Sequence, residues 1–234
     1  MEVVVGLRTW LGLKKKRAPI ERPVFFCENS YSQIQQDRWV LHELNNKTHG
    51  FFVEIGAFDG HHLSNSLLLE RDFSWSGILV EPNPALSDSV RSTRTSPLDT
   101  HPVDSVSGRQ VIMRFVLGEP ELSSMAEIAF RDKHAENRRK ESIEVEQTTI
   151  SLNDLLFTYN APSSIDYMSI DTEGNEIEIL RTFDFERYNV KLLSVEHNHT
   201  QADAQIEELL AMEGYERVYR DWSRFDGWYR KLPV

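Results

Sequence analysis

This 234-residue sequence has few cysteines, few basic residues and no long hydrophobic run. Its single cysteine, Cys27, excludes an intramolecular disulfide and favours a reducing, cytoplasmic location. We expect Cys27 to pack as a small hydrophobic side chain. No apolar stretch approaches the roughly 20 residues that a membrane-spanning helix needs. The 26 Lys and Arg residues are outnumbered by 37 Asp and Glu, and the net charge of -11 argues against nucleic acid as a partner.

The first thirty residues differ in character from the rest of the chain. An apolar stretch that contains Trp10 precedes the basic run 14–17, whereas a secretory signal carries its charges first. The stretch has the composition of a weak interfacial membrane anchor, but we favour a packing arm over membrane contact. We therefore predict a leader over residues 1–30 and one domain over residues 31–234.

Residues 51–60 predict a short apolar strand that ends in a glycine turn. The apolar part suits a strand that is buried on both faces, and Gly56 and Gly60 allow the backbone to turn tightly. A helix can begin after this turn, with Ser64 or Asn65 as its cap. Strand, glycine turn and helix, in this order, hold nucleoside cofactors against doubly wound sheets.

Strands and helices alternate along the rest of the chain. The closing strands, 215–222 and 228–231, have no helix between them and are joined through Asp226 and Gly227, a common turn pair. The pattern predicts an α/β fold with a mostly parallel sheet, helices on both faces and an antiparallel strand at the C-terminus. Further strands are predicted at residues 77–81, 103–106, 110–117, 143–148, 165–170 and 190–196.

The spacing of the two glycines discriminates between cofactors. Phe58 occupies the place where a dinucleotide-binding turn has its second glycine, and Asp59 would repel phosphate groups. A cofactor without phosphates fits better, and S-adenosylmethionine offers an amino group, a ribose diol and a sulfonium that all suit acidic surroundings. Glu81 follows the turn by about 20 residues, the usual distance for a carboxylate that binds ribose hydroxyls.

Acidic residues end several of the predicted strands, where a doubly wound sheet binds its ligands. A magnesium or manganese site is one alternative at these ends, although no tight ligand spacing demands it and we do not favour a metal. The residues that would supply its ligands are Asp171, Glu173, Glu196, His197 and His199.

Three blocks of the sequence resemble the FkbM family of S-adenosylmethionine-dependent methyltransferases. They are residues 52–60, with Val-Glu-Ile-Gly-Ala-Phe-Asp-Gly, residues 77–82, with Gly-Ile-Leu-Val-Glu-Pro, and residues 169–176, with Ser-Ile-Asp-Thr-Glu-Gly-Asn-Glu. Residues 31–37 and 194–198 are also similar to blocks of that family. The resemblance implies a class I methyltransferase (Rossmann-like) fold with a seven-stranded sheet. It also implies O-methylation, often of a sugar or another small-molecule hydroxyl.

The resemblance and the chemistry together give roles to the cofactor-binding residues. Glu54 would lie near the methionine amino group, Glu81 would bind the ribose, and Asp104 would accept from the adenine amino group. Ser64 and Asn65 would touch the methionine carboxylate at the start of the helix, with helix capping as the open alternative. Asp59 would either contact the cofactor or form the turn. The full predicted set is Glu54, Gly56, Ala57, Phe58, Asp59, Gly60, Asn65, Glu81, Pro82 and Asp104.

Methyl transfer from a sulfonium is an in-line displacement, so the main task of the enzyme is alignment. A hydroxyl acceptor also loses a proton, which a nearby base can accept. Asp171, Glu173 and His197 are the predicted base or acceptor-positioning groups, whereas Glu176 is expected on a solvated helix face. The alternative to catalysis is a non-catalytic methyltransferase-fold module that binds a partner.

Overall fold

The computed structural model describes residues 22–117, 123–128 and 141–233. Six helices and twelve strands occur within these ranges. The helices are α1 (Gln36–Glu43), α2 (Leu67–Phe73), α3 (Ser87–Thr93), α4 (Leu152–Thr158), α5 (Glu176–Thr182) and α6 (Ala202–Met212). The strands are β1 (Phe51–Ile55), β2 (Ser76–Val80), β3 (Leu98–Asp99), β4 (Val103–Asp104), β5 (Gln110–Val116), β6 (Ser124–Met125), β7 (Ser142–Thr148), β8 (Ile150–Ser151), β9 (Ser164–Ile170), β10 (Asn189–Glu196), β11 (Tyr215–Val218) and β12 (Asp226–Lys231).

Seven strands form one central sheet in the order β11-β12-β10-β9-β1-β2-β3. The strands β1, β2, β3, β9 and β10 are parallel, whereas β12 is antiparallel to both β10 and β11. The predicted class I methyltransferase fold, with its mostly parallel seven-stranded sheet and antiparallel C-terminal strand, is confirmed. The direction in which strands are added reverses between β1 and β9, which places a ligand-binding crevice at their carboxyl ends.

Helices cover both faces of this sheet because side chains alternate along each strand. In β1, Val53 and Ile55 lie in one hydrophobic core together with side chains of α4, α5 and α6. Phe52 lies in a second core on the opposite face, together with side chains of α1, α2 and α3. Trp39 of α1 stacks on Trp228 of β12 in the second core, with ring centroids 5.0 Å apart. The sheet is therefore buried between two cores, as apolar parallel strands require.

The third strand of the central sheet differs from the prediction. We predicted it at residues 103–106, but the strand that pairs with β2 is Leu98–Asp99. Val103 and Asp104 pair instead with Ile150 and Ser151, outside the central sheet. A two-residue strand carries no periodicity, so the sequence pattern could not reveal it.

The strands predicted at residues 110–117 and 143–148 exist as β5 and β7, but they form a sheet of their own. They pair antiparallel, with β6 on the other side of β5. Met113 and Phe115 of β5 pack against Met125 and Val145 to form a small third core. This sheet lies beside the central one and contributes Met113 and Met125 to the cavity described below.

Asp226 and Gly227 do not form the predicted turn; they begin β12. Asp226 is buried and its Oδ2 accepts a hydrogen bond from Gln36 Nε2, 2.8 Å away. A β carbon on Gly227 would lie 2.4 Å from the Tyr229 ring, so packing rather than turn geometry requires glycine here. The connection between β11 and β12 consists of residues 219–225 instead.

The end of the predicted leader packs on the domain. Phe25 is buried, with its ring 5.0 Å from Tyr219 and 6.3 Å from Trp228. Cys27 is exposed, contrary to the prediction, because its neighbours Phe25 and Phe26 make the apolar contacts. Trp10 and the basic run 14–17 lie outside the described residues, and the boundary at residue 30 stays a prediction. No helix in the described ranges is long and apolar enough to cross a membrane.

Candidate functional site

A cavity of about 430 Å³ opens at the carboxyl ends of β1, β2, β9 and β10. This is the point where the strand order reverses. Its walls include the predicted residues Gly56, Ala57, Phe58, Asn65, Glu81, Pro82, Asp171 and Glu173. The predicted residues Glu54, Asp59, Gly60, Asp104 and His197 lie outside these walls.

The glycine turn brings the ends of β1 and β9 into contact. Gly56 has a φ of +89°, and a β carbon at this position would lie 2.2 Å from the carbonyl oxygen of Asp171. The backbone N–H groups of Gly56 and Ala57 both donate to the carbonyl of Val80, at 3.0 and 2.9 Å. Only glycine satisfies both the left-handed backbone and the close approach, so the floor of the cavity depends on Gly56.

Backbone N–H groups on two sides fix the carboxylate of Glu81. Its Oε2 accepts from Phe58 N at 2.9 Å and its Oε1 from Asn83 N at 2.8 Å. Burial raises the pKa of Glu81 to about 7, with a smaller increase from the charge of Asp171. Each oxygen retains a second lone pair, so the group can still accept hydrogen bonds from a diol in the cavity.

Glu54 lies outside the cavity walls, and hydrogen-bond donors surround its buried carboxylate. Its carboxylate accepts from Asn65 N at 2.6 Å, from the hydroxyls of Ser64 and Ser66, and from Arg94 Nη1 at 3.4 Å. The side chains of Glu54 and Arg94 are both buried. This geometry supports a structural role, because the carboxylate accepts hydrogen bonds from three consecutive residues of the loop before α2. A contact between Glu54 and the methionine amino group stays a prediction without direct geometric support.

Asn65, by contrast, lies in the cavity wall. Its Nδ2 donates to Ser169 Oγ at 2.9 Å. Its buried Oδ1 has no hydrogen-bond partner among the described residues. A buried acceptor without a partner costs free energy until a donor arrives, so Asn65 is a candidate ligand-binding group.

Asp59 forms part of the turn instead of the cavity wall. Its Oδ1 accepts from the backbone N–H groups of His61 and His62, both at 2.8 Å, and its Oδ2 lies 2.6 Å from His62 Nδ1. Gly60 beside it has a φ of +81°, which suits the same turn. Of the two alternatives left open for Asp59, the structure therefore favours turn formation.

Asp104 is not brought to the cavity. Arg109 donates to its Oδ2 through Nε and Nη2, at 2.8 and 2.6 Å, and Ser105 N donates to its Oδ1. The predicted contact with adenine depended on Asp104 ending the third strand of the central sheet, which it does not. Its neighbours Pro102 and Val103 do line the cavity and present an apolar surface.

Three carboxylates converge at the ends of β9 and β10. Oxygens of Asp171, Glu173 and Glu196 all lie within 4.8 Å of one another. Burial, followed by the charges of Asp171 and Glu173, raises the pKa of Glu196 well above its usual range. The cluster therefore favours a positively charged ligand, which would reduce the repulsion among the carboxylates. Its oxygen ligands also fit a divalent metal, but no other observation in the described residues points to one.

Glu176 supports this cluster from the start of α5, and its predicted solvent exposure is wrong. Its Oε1 accepts from Thr172 N, from Thr172 Oγ1 and from Gly174 N, all at 3.0 Å. Burial raises the pKa of Glu176 to about 7. The side chain closes the Asp-Thr-Glu-Gly turn on itself and so fixes the backbone that carries Asp171 and Glu173.

His197 faces away from the cavity because successive residues of an extended chain point to opposite sides. Its Nδ1 accepts from His199 N at 3.0 Å, and its Nε2 lies 3.0 Å from Arg217 Nη2 and 3.6 Å from Asp203 Oδ1. Burial lowers the pKa of His197, partly offset by Asp203. Of the three predicted catalytic residues, only Asp171 and Glu173 therefore lie in the cavity wall.

The structure adds amide side chains to the site that we did not predict as site residues. Gln33, Gln36, Asn175 and Asn198 all line the cavity. The sequence did contain a signal for all four, because they lie in the blocks 31–37, 169–176 and 194–198 that resemble the family. Met113 and Met125 lie in no block that resembles the family, and they belong to the separate small sheet.

A model of the FkbM methyltransferase domain matches residues 54–220. The chain belongs to the FkbM methyltransferase family. A comparison with curated protein sequences finds no match.

Solved structures similar to this FkbM-family protein are distant from it. Precorrin-6y C5,15-methyltransferase from Geobacter metallireducens is 12% identical, with 88% of this chain and 91% of that chain covered and a TM-score of 0.44. A protein assigned as an RNA methyltransferase from Pyrococcus horikoshii is 10% identical, with 83% and 81% covered and a TM-score of 0.41. Neither similarity is close enough to assign an acceptor. Methyltransferase activity follows from the family, and the family and fold imply S-adenosylmethionine as the methyl donor.

Proposed function

We propose that this FkbM-family protein is an S-adenosylmethionine-dependent O-methyltransferase that acts on a hydroxyl of a sugar, a glycan or a small natural product. The acidic charge balance favours such an acceptor over nucleic acid, and the single cysteine favours a cytoplasmic location. The observation that carries the proposal is the Glu81 carboxylate, which two backbone N–H groups fix beside the glycine turn.

The cavity residues suit the parts of this cofactor. Glu81 would accept hydrogen bonds from the ribose hydroxyls, as its free lone pairs permit. Val80, Pro82 and Val103 would provide the apolar surface for adenine. The turn at Gly56 has no β carbon, so the Asp171 carbonyl packs against it and the ends of β1 and β9 stay close together. The carboxylates at the ends of β9 and β10 would favour the positive charge of the sulfonium.

S-adenosylmethionine, when bound, would supply an electrophilic methyl group to an acceptor oxygen in line with the carbon–sulfur bond, with S-adenosylhomocysteine as the leaving group. The walls of the cavity would hold the acceptor in alignment, which is the main source of rate acceleration in such a displacement. Asp171 and Glu173 are the groups of the chain that would accept the hydroxyl proton, because their carboxylates line the same cavity.

Calorimetric titration and a methyl-transfer screen test this function. We expect S-adenosylmethionine to bind the wild-type protein and Glu81→Ala to bind it about 10- to 100-fold more weakly, since hydrogen bonds to a charged group are lost. Glu146→Ala, which removes an exposed carboxylate of β7, is the matched control and should bind like the wild type.

The screen uses cofactor with a labelled methyl group and a panel of glycosides and small hydroxyl compounds. Label transferred to an oxygen supports the proposal. No cofactor binding by the wild-type protein would refute it. Binding without transfer to any compound would favour the alternative, a non-catalytic methyltransferase-fold binding module.

A further inference from the structure

The segment 30–37 forms a wall of the cavity although it precedes the family-matched residues 54–220. It runs alongside the loop that leads to α2. Ser32 forms a parallel bridge with Leu63, and the rings of Tyr31 and His61 are 5.5 Å apart. The next residue, Gln33, lines the cavity on this side.

Asp37 fixes this segment from the first turn of α1. Its buried carboxylate accepts from the hydroxyls of Ser30 and Ser32, at 2.6 and 2.8 Å, and from Tyr31 N at 2.8 Å. Three hydrogen bonds from consecutive residues to one charged group hold the backbone in place. Gln33 is therefore presented to the cavity by a preorganised segment.

The two glutamines of the segment differ in their availability. Gln36 is buried and uses both ends of its amide, since Nε2 donates to Asp226 Oδ2 at 2.8 Å and Oε1 accepts from Ile34 N at 3.0 Å. Gln33 has an exposed side chain with no hydrogen-bond partner among the described residues. Gln36 is thus a structural residue, whereas the amide of Gln33 is available to a ligand.

The charge of the cavity indicates which part of the cofactor needs this amide. The described residues in the walls contribute four carboxylates, Glu81, Asp171, Glu173 and Glu196, and no Lys or Arg. The methionine part of S-adenosylmethionine carries an α-carboxylate, which such walls repel and which requires donors away from the acids.

The Ser64 hydroxyl and the Asn65 backbone N–H on the neighbouring loop are engaged within the protein. Ser64 Oγ donates to the Glu54 carboxylate and accepts from Leu67 N at 3.1 Å. Asn65 donates its backbone N–H to Glu54 and its Nδ2 to Ser169. The predicted contact of these two residues with the methionine carboxylate stays a prediction, whereas the Gln33 amide on this side makes no hydrogen bond to the described residues and can donate to a carboxylate.

We propose that Gln33 binds the α-carboxylate of the cofactor through its side-chain Nε2. The unpartnered Oδ1 of Asn65 is the corresponding acceptor for the α-ammonium group. The segment 30–37 thus completes a site for a zwitterionic amino acid with neutral amide groups in place of a basic residue. This inference rests on the proposed function, because it takes S-adenosylmethionine as the cofactor.

Three ligands and one substitution test the inference by calorimetric titration. S-adenosylmethionine and S-adenosylhomocysteine contain the amino-acid group, whereas methylthioadenosine lacks it. We expect Gln33→Ala to weaken binding of the first two about tenfold, as for a lost hydrogen bond to a charged group, and to leave methylthioadenosine unchanged. Gln110→Ala is the control, because Gln110 is exposed on β5 outside the cavity walls and should leave all three affinities unchanged.

The outcomes separate the inference from the proposed function. If wild type binds the cofactor and Gln33→Ala binds it equally well, Gln33 does not contact the carboxylate and the inference is wrong. An equal loss for all three ligands would also overturn it, since the effect would then not depend on the amino-acid group. If wild-type protein binds none of the three ligands, the proposed function itself fails.

Discussion

The two halves of the cavity are built from different parts of the chain. At the ends of β1 and β2, backbone N–H groups fix the neighbouring polar groups. Those of Phe58 and Asn83 donate to the Glu81 carboxylate, and those of Gly56 and Ala57 donate to the Val80 carbonyl. At the ends of β9 and β10, side chains dominate, and three carboxylates crowd within 4.8 Å. The hydrogen bonds of the first half are formed before any ligand arrives, whereas the carboxylates of the second half repel one another, and a proton or a cation would reduce this repulsion.

This difference assigns different tasks to the halves. A preorganised backbone suits recognition of a constant group, which under the proposed function is the nucleoside of the cofactor. Repelling carboxylates, with the pKa of Glu196 raised well above its usual range by burial and by Asp171, can accept a proton during a reaction. We therefore expect substitutions in the first half to change cofactor affinity and substitutions in the second half to change turnover.

Asp171→Asn should cause the largest effect and would separate the two halves most clearly. Loss of a general base typically slows a reaction by about 100-fold or more, so kcat should fall by that factor. Cofactor affinity should change far less, because the amide retains the shape of the side chain and Glu173 remains in the cluster to favour the sulfonium charge. Steady-state kinetics with an acceptor from the screen, together with calorimetry, provide both measurements.

The control for this substitution is Asp72→Asn, an exposed carboxylate paired with Arg71 on α2. It should leave both quantities at wild-type values. If Asp171→Asn retained wild-type kcat, the base would have to be another residue, and Glu173→Gln would be the next variant to measure. If it lost cofactor affinity instead of kcat, the proposed division between the halves would be wrong.

Gly56→Ala should disrupt the first half, with about 100-fold weaker cofactor binding. The added methyl group would lie 2.2 Å from the Asp171 carbonyl oxygen, and the backbone has a φ of +89°. The clash forces β1 and β9 apart and distorts the turn that carries Phe58 N. Calorimetry measures the affinity, and urea denaturation should show a loss in the free energy of unfolding of about 3 kcal/mol.

Gly108→Ala is the matched comparison for this prediction. Gly108 has a similar φ of +83°, but a β carbon there would meet nothing within 4 Å. It should therefore lose only about 1 kcal/mol of stability through backbone strain and keep full cofactor affinity. Equal losses in the two variants would show that strain, and not the contact with Asp171, explains the requirement for glycine at position 56.

The first half of the site could be predicted from the sequence because it depends on short-range patterns. The strand, the glycine turn and the acid that ends the next strand are local features. Gly56, Phe58 and Glu81, which we predicted as cofactor-binding residues, all line the cavity. The parallel direction of most strands in the central sheet followed from their alternation with helices. The predicted contact between Asp104 and adenine depended on a weak strand pairing with the central sheet, and that strand pairs elsewhere. Strand pairing is a long-range property that local sequence patterns do not show.

The second half was harder to predict because burial decides the role of an acid. Glu176 and Asp226 were assigned to solvent and to a turn, yet both are buried, and burial raises their pKa values to about 7 and about 8. The orientation of His197 depends on where β10 ends, which sequence patterns locate only within a few residues. The proposed role of Gln33 depends on which neighbouring hydrogen-bonding groups are engaged within the protein, and no sequence pattern shows this.

Cofactor affinity should depend on pH through the first half, by about tenfold between pH 6 and pH 8. Ribose hydroxyls donate to the ionised form of Glu81, and burial raises the pKa of Glu81 to about 7. Affinity should therefore rise as the pH increases through this value. Calorimetry at several pH values measures the effect, and Glu81→Gln should remove most of it.

The same raised pKa has the opposite consequence for the stability of the ligand-free protein. The folded state keeps the Glu81 proton up to about pH 7, whereas the unfolded chain loses it near 4.5. The contribution of Glu81 to the free energy of unfolding is therefore complete below about pH 4.5 and is lost as the pH rises through about 7. If cofactor affinity fell between pH 6 and pH 8, the prediction that ribose hydroxyls bind the ionised form of Glu81 would be wrong.

His197→Gln should have the smallest effect, a change in kcat of less than about threefold, since a base must lie within reach of the proton that it accepts. The imidazole is held by His199 N and Arg217 and lies outside the cavity walls. The substitution should instead lower the thermal stability, because His197 is buried. Parallel measurement of kcat and of the unfolding midpoint checks both expectations. A loss of kcat as large as that of Asp171→Asn, with folding intact, would identify His197 as the base. Its side chain would then have to turn into the cavity during the reaction.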